Sequence, residues 1–124
     1  MAGQSRKILV VDDEPYILKS ISFVLKRENY QVIEATNGEA ALAAIREHQP
    51  GLVFLDVMMP RMSGYEVVRR VREEAAIKET ILVLLTARGQ DSDREEGLDA
   101  GADDFMTKPF SPAKILEKVR ETIG

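Results

Sequence analysis

Leu52-Val53-Phe54-Leu55-Asp56-Val57-Met58-Met59-Pro60 is the stretch whose reading decides the fold. Four large apolar residues in a row, closed by a carboxylate and then a turn, have the pattern of a short strand buried on both faces, as in a parallel sheet. An acid at the last position of such a strand lies at the carboxyl edge of the sheet. Asp56 is therefore aimed at a site rather than at the core.

The same pattern recurs on either side. Ile8-Leu9-Val10-Val11 runs into Asp12-Asp13, and Ile81-Leu82-Val83-Leu84-Leu85 closes in Thr86-Ala87. Asp104-Phe105-Met106-Thr107 is a shorter strand before Lys108-Pro109-Phe110, and Gln31-Val32-Ile33-Glu34, with polar ends, suits a sheet edge. Helices fall between the strands. Pro15 opens one carrying Ile17, Ile21, Val24 and Leu25 at helical spacing, and Asn37 caps a second built on Ala41, Leu42, Ala44 and Ile45. Ser63-Gly64-Tyr65-Glu66 fits a capping box ahead of Val67, Val68 and Val71. Ser92 with Glu95 offers a second box, but residues 91 to 99 have only Leu98 as a large apolar anchor, and Gly97 costs roughly 1 kcal/mol inside a helix. That fourth helix is expected to be the least stable. Ser111 and Pro112 start a last helix with Ile115, Leu116, Val119 and Ile123 inward.

Five strands alternating with five helices predict an α/β fold, a parallel sheet covered on both faces with right-handed crossovers. Ligands in such sheets bind at the carboxyl ends of the strands. Asp12, Asp13, Asp56, Thr86 and Lys108 all fall at those ends, on four different strands. Any one of them alone has a plain explanation: a helix cap, a turn former, a surface charge. Together on one edge they do not.

Composition narrows the chemistry. The 124 residues fit a single domain, and 44% hydrophobic with 31% charged residues is ordinary for a globular protein. Twenty-one acids against seventeen bases give a net charge of −4, which argues against nucleic-acid binding by this domain. Cysteine is absent, which excludes disulfides, thiolate catalysis and Cys-ligated zinc. No signal peptide or membrane span is expected, and the cytoplasm is the expected compartment.

Carboxylates gathered at one edge repel; a pair about 5 Å apart costs roughly 3 kcal/mol at an effective dielectric near 20. Lys108 supplies one compensating charge. A hard divalent cation such as Mg²⁺ supplies the rest, since neither His nor Cys stands at this edge to favour a softer metal. A carboxylate in that setting is a competent nucleophile toward phosphorus. Neutralisation of the phosphoryl oxygens would then fall to the metal, Lys108 and the Thr86 hydroxyl. Nothing in the set has the character of a general base, so Asp56 is expected to be an acceptor, not the centre of a turnover enzyme.

The blocks Val11-Asp12-Asp13-Glu14-Pro15, Leu55-Asp56-Val57-Met58-Met59-Pro60 with Gly64, Leu85-Thr86-Ala87, and Asp104-Phe105-Met106-Thr107-Lys108-Pro109-Phe110 resemble the receiver domain of two-component response regulators, in order and at matching spacing. The resemblance implies that residues 1–124 are one receiver domain of flavodoxin-like (βα)5 type, a three-layer sandwich with strand order 2-1-3-4-5. It further implies that Asp56 takes a phosphoryl group from a sensor histidine kinase or a histidine phosphotransfer protein. One Mg²⁺ would be held by Asp13, Asp56 and the backbone carbonyl of Met58, with Asp12 acting mainly through a metal-bound water. Lys108 would bind a phosphoryl oxygen and Lys108-Pro109 would be a cis peptide. Thr86 and Phe105 would form the switch, Met58 and Arg88 would set the lifetime of the phosphorylated state, and the domain would catalyse only its own phosphorylation and slow autodephosphorylation. A homodimer through helix 4, strand 5 and helix 5 is a further implication, with Glu96 and Lys114 as its candidate pair.

Other functions fit less well. A metal-dependent aspartyl-phosphate phosphohydrolase wants a second acid two residues after the nucleophile, where Met58 stands. A flavin or nucleotide carrier wants a Gly- or Ser/Thr-rich loop after the first strand, where Asp12-Asp13-Glu14 would repel phosphate. A phosphorylation-independent binding module can dispense with the acceptor or the lysine, and both are here.

Overall fold

The alternation of apolar runs and capped helices becomes five β-α units in the computed structural model, which describes residues 6–87 and 91–123, with 91–94 as backbone only. In chain order these are β1 (Lys7–Val11), α1 (Pro15–Arg27), β2 (Gln31–Ala35), α2 (Gly38–His48), β3 (Leu52–Asp56), α3 (Gly64–Glu73), β4 (Ile81–Ala87), α4 (Asp91–Ala100), β5 (Asp104–Lys108) and α5 (Pro112–Thr122). All strand pairs are parallel and the sheet order is β2-β1-β3-β4-β5, as the family resemblance implies.

Burial on both faces follows from strand alternation. Leu9, Val11, Val53, Leu55, Leu82 and Leu84 pack on one side against Ala41, Leu42 and Ile45 of α2 and Val67, Val68 and Val71 of α3. Ile8, Val10, Leu52, Phe54, Val83 and Leu85 pack on the other side against Leu18, Ile21 and Leu25 of α1 and Ile115 and Val119 of α5. β3 is buried along its whole length, whereas β2 at the edge is half-exposed.

The helix starts are set by the residues the sequence offers. Asn37 accepts from the Ala40 N–H at 2.8 Å, and Ser63 and Ser111 accept from the N–H groups of Glu66 and Lys114 at 3.3 Å each. The box at Ser63 forms in one direction, since the Glu66 carboxylate instead takes the Arg70 Nε–H at 3.1 Å.

Helix α4 departs from expectation in two ways. It begins at Asp91, so Ser92 lies inside it rather than capping it. Among residues 95–99 the contact with the sheet is made not by Leu98, which is 46% exposed, but by the buried Gly97, where an added Cβ would run into Leu84 Cδ1. The glycine lowers helix propensity and in return lets the helix backbone approach the strand.

Candidate functional site

The carboxyl ends of β1, β3, β4 and β5 meet at one edge because neighbouring parallel strands end in register: Asp56 lies opposite Leu85, and Ala87 opposite Lys108. Asp12, just past β1, is fully buried, and Asp56 and Thr86 are buried beside it, while Asp13 is exposed. Asp12, Asp13 and Asp56 each offer a carboxylate oxygen, and these atoms lie within 4.8 Å of one another. Three hard oxygen donors in that space fit a small divalent cation.

Lys108 is the counter-charge. Its Nζ is 2.9 Å from Asp12 Oδ2, 3.4 Å from Asp56 Oδ1 and 3.6 Å from Glu14 Oε1, with its side chain 19% exposed. Asp12 Oδ1 also accepts the Glu14 N–H at 2.9 Å, so this buried carboxylate is served by an ammonium and a backbone amide. Burial pushes the Asp56 carboxyl up to about 6, with the nearby Asp12 charge acting in the same direction; Lys108 and a long 3.4 Å hydrogen bond from the Met58 N–H pull against it. Burial draws the Lys108 ammonium down, but its bond to Asp12 and the charges of Asp56 and Asp12 outweigh this and hold it above its ordinary range.

Thr86 and Phe105 lie on adjacent strands. The Thr86 hydroxyl donates to the Met106 carbonyl of β5 at 3.4 Å, and the half-buried Phe105 packs against the core beneath α2 and α3. The Lys108-Pro109 peptide is cis. Met58 is 71% exposed beside the site. Arg88, expected to flank the same cleft, lies outside the described residues. Glu96 stands 3.9 Å from Arg69 of its own chain, and Lys114 is exposed on α5.

Two residues matter more than the sequence suggests. Glu14 adds a third acid to the reach of Lys108; its place directly after Asp12-Asp13 was the available signal. Gly64 stands in the sequence as the second residue of the capping box, yet as the first residue of α3 it lies against the acceptor strand. A Cβ there would be 2.5 Å from the Asp56 carbonyl oxygen, and its N–H donates to the Val57 carbonyl at 2.9 Å. Because backbone cannot yield as a side chain can, Gly64→Ala is expected to lower stability by about 1–3 kcal/mol, the usual range for overpacking. Urea denaturation checks this, and an unchanged midpoint would show that α3 can move away without cost.

Comparison with known proteins points one way. Residues 8–120 match the family profile described as the response regulator receiver domain. The transcriptional regulatory protein ResD of Bacillus subtilis (strain 168) is 45% identical over 114 residues, 92% of this chain and 46% of ResD. A putative response regulator from Chloroflexus aurantiacus superposes with a TM-score of 0.91 at 32% identity, covering 97% of this chain and 98% of that one. The receiver domain of the sensor histidine kinase PA1611 from Pseudomonas aeruginosa PAO1, solved with a magnesium ion coordinated in the active site cleft, superposes with a TM-score of 0.88 at 29% identity over 99% of both chains. The chain spans about half the length of the curated relatives it matches. Among the described residues, no helix is long and apolar enough to cross a membrane.

Proposed function

The chain belongs to the response regulator receiver domain family of two-component systems, and from that premise we propose that Asp56 is its phosphoryl acceptor. One observation carries the proposal: a buried carboxylate ends the central strand, within reach of two further aspartates and 3.4 Å from an ammonium group. Receiver domains of response regulators interact with histidine kinases, and the donor proposed here is the phosphohistidine of a sensor kinase or a phosphotransfer protein. An Asp56 oxygen attacks phosphorus, the P–N bond breaks, and the imidazole leaves with the electron pair. Lys108 exchanges part of its contact with Asp12 and Asp56 for an oxygen of the transferred group.

Asp12, Asp13, Asp56 and the Met58 carbonyl would hold one Mg²⁺. When bound, the ion supplies positive charge that lowers the repulsion between this acidic edge and an incoming phosphoryl group. The proposed switch follows from the present position of Thr86: its hydroxyl leaves the long bond to Met106 for a phosphoryl oxygen, and Phe105 turns inward behind it. No general base is assigned, and the domain acts as an acceptor that returns slowly to its free state, not as a phosphohydrolase. The compartment proposed is the cytoplasm, where the donor kinase's phosphohistidine is made. Self-association through α4, β5 and α5 belongs to the same proposal, with Glu96 exchanging Arg69 for Lys114 of a second copy.

The test is phosphorylation by a small phosphodonor with Mg²⁺, followed by intact mass. A single adduct in the protein and none in Asp56→Asn is expected; an equal adduct in both would remove Asp56 as acceptor. Met58, exposed beside Asp56, is expected to shield the acyl phosphate from water. Met58→Asn should therefore shorten the phosphorylated lifetime, measured as decay of the adduct after donor removal; an unchanged decay would contradict this.

A further inference from the structure

Arg72, at the end of α3, has the most hydrogen-bonded guanidinium among the described residues, and it stands away from the acidic site. Its Nε donates to the Gly101 carbonyl at 2.8 Å, Nη1 to the carbonyls of Lys78 and Thr80 at 2.7 Å each, and Nη2 to Asp103 Oδ2 at 2.9 Å. The same Asp103 oxygen accepts the Leu82 N–H at 2.8 Å, and the Asp103 N–H donates to the Leu82 carbonyl at 2.9 Å. One side chain thus ties α3, the approach to β4 and the α4–β5 turn together.

The turn it holds is fully formed. Gly101 has φ +115°, its N–H donates to the Leu98 carbonyl at 3.1 Å, and the Ala102 N–H donates to the Gly97 carbonyl at 3.0 Å. That pair of bonds around a left-handed glycine is the Schellman ending of a helix. The body of α4 is held differently. Of its residues 95–99 only Gly97 is buried, and Glu95, Glu96, Leu98 and Asp99 are exposed. The 95–99 segment, meeting the sheet through a residue without a side chain, loses little packing when it tilts, whereas the last turn, where Ala100 packs on the core, is bonded on three sides.

We propose that Arg72 makes the C-terminal end of α4 a fixed pivot, so that α4 changes position over the sheet by tilting about Gly101 rather than by sliding or unravelling from both ends. The proposal rests on the receiver function for the signal that moves α4, and on the Arg72 contacts for the point about which it moves. Arg72 acts as a positioning residue. Its partner Asp103 bonds to Leu82, four residues before Thr86 along β4, which is about 13 Å at the usual rise of a strand. Substituting Arg72 is therefore expected to leave phosphorylation itself unchanged.

The experiment is amide hydrogen exchange on the full chain, in the protein and in Arg72→Lys, with and without Mg²⁺ and a small phosphodonor, with intact mass recording phosphorylation in every sample. Lysine keeps the charge but cannot serve four acceptors in a plane. Without donor, Arg72→Lys is expected to exchange about tenfold faster at Gly101, Ala102 and Asp103, with β1 and α2 unaltered, which separates a local clamp from a general loss of stability. With donor, the protein should keep protection at Gly101–Asp103 while earlier amides of α4 change, and in Arg72→Lys the change should spread across the turn. Exchange in Arg72→Lys equal to the parent, or loss of protection at Gly101–Asp103 on phosphorylation of the parent, would overturn the pivot. Absence of the mass adduct would instead count against the acceptor assignment, and the donor-free comparison would still decide the clamp.

Discussion

Lys108→Ala is expected to destabilise the metal-free protein by about 3–5 kcal/mol at neutral pH, the cost of removing one partner from a buried ion pair. Asp12 is fully buried and has the Lys108 ammonium at 2.9 Å as its counter-charge; the Glu14 amide, its other partner, carries no full charge. Asp56 loses the ammonium 3.4 Å from its Oδ1 at the same time. Without Lys108 the Asp56 carboxyl is pushed further up, so a proton replaces the missing ammonium there as the solution is acidified. The gap between variant and parent should therefore be largest above pH 7 and narrow below about pH 6. Added Mg²⁺ should narrow it too, by supplying charge to the same oxygens. Urea denaturation at two pH values, with and without Mg²⁺, measures this; equal stability of the two proteins at neutral pH would mean that the aspartates are not held against their repulsion by Lys108.

Asp56→Asn is expected to do the reverse, stabilising the protein while abolishing its chemistry. The folded protein holds the Asp56 proton up to about pH 6, whereas the unfolded chain releases it near 3.8. Between those values the folded state binds more protons, so the Asp56 contribution is most favourable below the unfolded value and is lost as pH rises through the folded one. A shift of that size corresponds to about 3 kcal/mol at 1.36 kcal/mol per unit. Asparagine is neutral throughout and avoids this cost. The variant should gain about 1–3 kcal/mol above pH 7 in the absence of metal, and the gain should fade toward pH 4. An advantage independent of pH, or a loss at neutral pH, would show that burial of charge at Asp56 is not what makes this edge costly. The site trades stability for a reactive carboxylate.

The strands that carry the site were legible because each is an apolar run stopped by a polar residue, and in a sheet buried on both faces such a residue emerges only at the end. Asp56, Thr86 and Lys108 end or nearly end β3, β4 and β5 as the pattern requires. The helix starts at Asn37, Ser63 and Ser111 were legible for a local reason: a short polar side chain three residues before its amide partner acts within one turn. Strand order was not legible from periodicity, which is blind to which neighbours pair; it came from the family resemblance.

What escaped the sequence depends on distance in the chain. Leu98 is the one large apolar residue in its segment and reads as the anchor of α4. The helix instead settles on Gly97 because Leu84, on another element, fills the space a side chain would need. Gly64 is one place in a capping box until the Asp56 carbonyl is placed 2.5 Å from its missing Cβ. Arg72 carries no signal in its own segment, because its role exists only once the α4–β5 turn folds back beneath it. In each case the deciding partner is supplied by another segment of the chain.

The central claim is that charge compensation at this edge makes Asp56, and no other acid, the acceptor. The most direct test is to phosphorylate the protein with a small donor and Mg²⁺, reduce the acyl phosphate with borohydride, and locate the resulting homoserine by peptide mass spectrometry. The expected result is a single modified position, Asp56, lost when Mg²⁺ is chelated. Modification at Asp12, Asp13 or Glu14 instead, or modification that is indifferent to Mg²⁺, would contradict the account.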